Sequence, residues 1–80
     1  MVVQLQSPAN DNLTVSLGLL EEHENVNVSV LNLNGSLLYQ RTSIDNSTFT
    51  IPLNNYANGI YFIKVQTNKE TIIRKFNVAK

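Results

Sequence analysis

Apolar and polar residues alternate with a period of two along most of this 80-residue chain. Leu13, Val15 and Leu17 share one parity, as do Val26, Val28 and Val30, and likewise Phe49, Ile51 and Leu53. Asn, Thr and Ser occupy most positions between them. Tyr61, Ile63 and Val65 take one parity, while Phe62, Lys64 and Gln66 take the other. Successive side chains of a strand point to opposite faces, so this period predicts strands with one buried face. Turn residues punctuate the runs. Asn34-Gly35 predicts a two-residue hairpin turn, because both residues tolerate a positive φ. Asn58-Gly59 opens the next-to-last strand, and Thr67-Asn68-Lys69-Glu70 predicts a hairpin into the last. Proline cannot donate to a ladder, so Pro8 makes Val2 to Gln6 an expected edge strand, and Pro52 marks an edge or a strand end. About seven short strands result, and the expected fold is all-β: an Ig-like antiparallel β-sandwich.

Two stretches depart from the pattern. Leu17 to Asn25 alternates little and holds three of the six acids, so it is expected to be a strand end and a loop with one helical turn. In the last strand, Arg74 shares parity with Ile72, Phe76 and Val78, which calls for a bulge or an exposed end.

Composition narrows the function more than the fold. Hydrophobic residues make up 42% and charged residues 15%, which suits a folded chain rather than a disordered one. Residues 1–80 are expected to form one small domain. Six basic residues balance six acidic ones. With no basic surplus, neither nucleic acid nor anionic lipid is an expected partner. Cysteine is absent, which removes disulfides and thiolate metal sites. The longest uninterrupted apolar run, Ile60 to Ile63, is too short to span a bilayer, so no membrane insertion is expected. Met1-Val2-Val3-Gln4 lacks the features of a signal peptide, so export would depend on an upstream address. Oligomeric state is left open.

Little in the chain could carry catalysis. His23 is the one histidine, flanked by Glu21, Glu22 and Glu24. Zinc needs more nitrogen or sulfur ligands than this, and neighbours in an extended loop point apart. Asp11, Asp45 and the same glutamates offer oxygens for calcium, but without the spacing of a calcium loop. The serines have no well-placed imidazole base, and the three glycines are isolated. No enzyme activity, metal or cofactor is expected. Carbohydrate binding favours flat exposed aromatics; there is no Trp, Tyr56 and Phe62 are the only candidates for exposed rings, and core or edge packing is the favoured reading of them. The sequons at Asn12, Asn27, Asn34 and Asn46 fit chance in an Asn/Ser/Thr-rich surface.

The motifs, taken in order, are more specific. Ser7-Pro8-Ala9-Asn10-Asp11-Asn12-Leu13-Thr14-Val15 is an opening element, and Val28 to Leu38 is a central strand–Asn-Gly–strand element. Leu53 to Val65 contains Gly59-Ile60-Tyr61 and ends in Lys64-Val65, and Arg74-Lys75-Phe76 begins a basic-apolar ending. Together they resemble the type A C-terminal sorting domain of the type IX (Por) secretion system of Bacteroidetes-type bacteria. The resemblance covers nearly the whole chain. One departure is Leu5-Gln6-Ser7, where the family carries an aromatic and Pro-Asn before the proline.

The resemblance implies a non-catalytic address label closing a larger exported protein. The cargo, covalently linked on the N-terminal side, would cross the periplasm. The outer-membrane type IX translocon would then recognise the folded domain and move the cargo to the cell surface or beyond. A sortase-like peptidase would remove the domain as it attaches the cargo. Carried over by position, the recognition residues would be Gly35, Gly59, Tyr61, Lys75, Phe76, Val78 and Lys80. Gly35 and Gly59 would set turns, and Tyr61 would bury its ring and hydrogen-bond its hydroxyl to an adjoining loop. Lys75 and Lys80 would present charge at the end that is read. Two other readings are an Ig- or fibronectin-like spacer, and a self-associating or ligand-binding module for adhesion or carbohydrate.

Overall fold

A computed structural model describes residues 2–6, 12–18, 25–42 and 48–79. Its strands are β1 (Val2–Gln6), β2 (Asn12–Gly18), β3 (Asn27–Asn32), β4 (Leu37–Arg41), β5 (Thr48–Pro52), β6 (Gly59–Gln66) and β7 (Thr71–Val78). They form two antiparallel sheets, ordered β1-β2-β5 and β4-β3-β6-β7. The alternating residues supply the inner face of each sheet. Leu13, Val15 and Ile51 from the first are fully buried, as are Val28, Val30, Ile63 and Val65 from the second. All belong to one core cluster drawn from both sheets, as in a β-sandwich. Register is fixed by this burial: a one-residue slip would turn an entire apolar set toward water.

The punctuation falls as its chemistry requires. β1 is an edge strand, and Pro52 is the last residue of the edge strand β5, a position where proline is tolerated. Thr67 N–H donates to the Glu70 carbonyl at 2.8 Å, closing the β6–β7 hairpin. The buried Thr67 hydroxyl oxygen accepts from the N–H groups of Lys69 and Glu70, each at 3.1 Å. Local side-chain bonding of this kind is why threonine suits a turn.

Three details correct or sharpen the expectations. The β3–β4 turn has three residues, not two. Gly35 N–H donates to the Asn32 carbonyl and Asn32 N–H to the Ser36 carbonyl, leaving Leu33, Asn34 and Gly35 as the loop. Gly35 takes φ +83° at its end, the left-handed residue of a three-residue hairpin. Of the two alternatives expected for the last strand, a bulge or an exposed end, the structure has the exposed end. β6 and β7 pair without interruption from Gly59↔Val78 to Gln66↔Thr71, and Arg74 simply reaches solvent at the sheet rim. The register shift lies instead in β4, where Val30 pairs with Tyr39 and Leu31 with Leu37, so Leu38 is extra. Third, Tyr56 and Phe62 are both half-buried and Tyr56 packs against the core, in keeping with core or edge packing. The helical turn expected between Leu17 and Asn25 falls largely at residues 19–24, outside the described residues, while Leu17 and Gly18 complete β2.

Candidate recognition site

One end of the four-stranded sheet gathers most of the residues singled out from the sequence. Gly59 pairs with Val78, Tyr61 pairs with Phe76, and Asn32 on β3 pairs with Tyr61 from the other side. The Leu53 carbonyl accepts from Tyr56 N–H at 3.0 Å, so the chain turns back just before β6. Gly59 then enters the strand with φ +152°, a value that side chains with a Cβ resist. A Cβ there would meet nothing within 4 Å, so glycine is required by backbone conformation and not by space.

Tyr61 ties the loop to the sheet. Its ring is 8% exposed, and its hydroxyl donates to the Ala57 carbonyl at 2.6 Å. The ring lies 5.3 Å from that of Tyr56 and 5.8 Å from that of Phe76, centroid to centroid, within the range of favourable aromatic pairing. Burial pushes the Tyr56 hydroxyl above its ordinary pKa, and the neighbouring Tyr39 and Tyr61 push the same way. Across the sheet end, the Asn32 side-chain oxygen accepts from Asn34 N–H at 3.0 Å and Ser36 N–H at 2.9 Å, fixing the β3–β4 turn. The two turns face each other over a shallow depression of about 210 Å³ bordered by Asn32, Leu33, Asn58 and Ile60.

Burial sorts the candidate residues. Phe76 and Val78 are 7% and 1% exposed, so in the folded chain they offer a partner almost no surface and support the sheet end instead. Tyr61 is in the same position. Gly35 and Gly59 shape the two turns. Lys75 is exposed and opposite Phe62 on the outer face. Lys80 lies outside the described residues, as do His23, Glu21, Glu22, Glu24, Asp11 and Asp45.

Whole-chain charge balance concealed one feature. The strands β1, β2 and β5 contain no charged residue. Those of the four-stranded sheet contain Arg41, Lys64, Arg74 and Lys75 and no acid. Lys64 and Lys75 lie on the outer face, beside an apolar row, Leu37–Leu31–Phe62, that runs on to Lys75, whereas Arg41 and Arg74 pair with the buried Val28 and Ile63 and reach solvent at the rim. Exposed Ile60 and Ile73 flank the apolar row. Counting charge strand by strand, with parity, would have found this face in the sequence.

The sequence matches the family model described as the secretion system C-terminal sorting domain over residues 7–79. No curated protein matches it.

Proposed function

We propose how this chain is read from one premise: it belongs to the secretion system C-terminal sorting domain family. It is a C-terminal sorting signal for the type IX system, recognised by that machinery and directing export to the cell surface or extracellular space. Beyond this, our reading is that residues 1–80 act as one non-catalytic domain at the end of a larger protein. The domain folds in the periplasm, and the outer-membrane translocon then engages it there. A sortase-like peptidase removes it when the cargo is attached at the surface.

In this reading the two turn glycines and the buried rings build the surface, and cations present it. Gly35, Gly59, Tyr61, Phe76 and Val78 hold the sheet end in shape, and Lys75 offers charge beside it, with Lys80 completing the basic ending. The observation that carries the reading is the family match over 7–79, joined to the gathering of the motif residues at one sheet end.

The test is export of a fluorescent protein bearing a periplasmic signal at its N-terminus and these 80 residues at its C-terminus. Reporter outside wild-type cells but held in the periplasm of a translocon mutant is the expected result. Retention in both strains, with the domain folded, would sink the reading. Lys75→Ala with Lys80→Ala is expected to lower export and leave thermal unfolding unchanged.

A further inference from the structure

The free edge of β7 differs from the other free edges among the described residues. β1, β4 and β5 have five residues each; β5 ends in proline, and β4 is interrupted at Leu38. Short strands, proline and bulges are the usual ways of blunting an edge. β7 has eight residues, no proline and an unbroken register. Its ladder also shows which main-chain groups are turned outward. Thr67 N–H bonds to Glu70, and antiparallel pairs alternate between bonded and non-bonded. Residues 72, 74, 76 and 78 therefore bond to β6, and residues 71, 73, 75 and 77 aim N–H and C=O at the free edge.

Charge decides what can pair there. Arg74 and Lys75 are adjacent, so their side chains leave opposite faces of the sheet at this edge. The Arg74 guanidinium wraps back to donate to the Ile73 carbonyl at 3.3 Å, covering one edge acceptor. Antiparallel pairing with β7 of a second copy keeps faces aligned. The two registers nearest the strand centre then oppose Arg74 to Arg74 or Lys75 to Lys75, and like charges directly opposite are destabilising. A foreign strand with carboxylates meets the reverse situation.

We propose that the β7 edge is a strand-addition site for an extended segment of the export machinery. That segment carries neighbouring carboxylates opposite Arg74 and Lys75 and an apolar residue opposite Ile73. Main-chain bonds to residues 71–77 supply affinity, and the two cations supply register and exclude self-pairing. Arg74 exchanges its bond to the Ile73 carbonyl for the incoming carboxylate. This inference rests on the sorting reading above and names the partner chemistry for it.

The test uses the whole chain behind the same exported reporter. Ile73→Pro deletes one outward N–H and no bond to β6, while Gln40→Pro does the same at the β4 edge. The Ile73 variant is expected to unfold near the wild-type temperature and to lose export roughly tenfold or more, with the Gln40 variant exported normally. Arg74→Glu with Lys75→Glu alters no ladder bond and is expected to lose export similarly. Wild-type export by a folded Ile73→Pro variant would overturn the proposal. If that variant does not fold, wild-type export of the double charge reversal would do so. Failure of the unmodified chain to export would instead remove the sorting reading, and this inference with it.

Discussion

The hydroxyl of Tyr61 donates to the carbonyl of Ala57 in the loop before β6. Replacing Tyr61 with Phe keeps the packing on Tyr56 and Phe76 but leaves the Ala57 carbonyl without this donor. A loss of about 1 kcal/mol is expected, read as a lower urea midpoint with unchanged slope. Gly59→Ala is expected to cost more, roughly 1–3 kcal/mol, because its φ is strained for any residue with a Cβ despite the open space. A free-energy change near zero in urea would show that the backbone turns to accommodate the methyl. Tyr56 contributes a pH dependence. Its folded pKa is raised above the ordinary 10.0, so the folded chain holds the phenolic proton more tightly than the unfolded chain. That contribution is complete below pH 10.0 and is lost as pH rises through the higher folded pKa. Stability should therefore fall from about pH 10 upward, and Tyr56→Phe should flatten this part of the curve.

At the level of elements, the β3–β4 hairpin shows what the sequence could and could not disclose. Nothing in the alternation singles out Asn32. It proves to be the turn's organiser, accepting from two loop N–H groups while its own main chain closes the hairpin. Asn32→Ala should cost about 1–2 kcal/mol in thermal or urea unfolding, and Asn32→Asp should retain most of that stability. The inner faces were legible because a sandwich buries one parity of each strand, and Leu13, Val28, Ile51 and Ile63 needed only that rule. Gly59 and Tyr61 were legible because a positive φ and a partly polar ring leave few alternatives. The extra residue at Leu38 was not, since alternation cannot tell a bulge from a strand end when Leu37 and Leu38 are both apolar. Nor could the sequence decide that Arg74 reaches water at a rim, because that depends on β7 being the edge strand of its sheet among the described residues.

Across the whole molecule, the sheets differ in chemistry as well as position: one has no charge in its strands, the other only positive charge. The basic sheet is also the one whose end gathers Gly35, Gly59, Tyr61 and Phe76. Such a surface exists only while the two sheets remain packed, so the proposed recognition surface and the core depend on each other. Ile63, fully buried at the centre of β6, is a direct way to separate them. Ile63→Ala should cost about 2–5 kcal/mol, a large share of what a domain of this size holds in reserve. Its export should follow the folded fraction, near normal in the cold and failing at a temperature where the unmodified chain still passes. Lys75→Ala should show the opposite pattern, with weaker export at every temperature and an unchanged unfolding midpoint. Parallel measurement of reporter release and thermal unfolding distinguishes the two. Undiminished export of the Ile63 variant above its midpoint would mean that the machinery reads an extended segment and not the assembled sandwich.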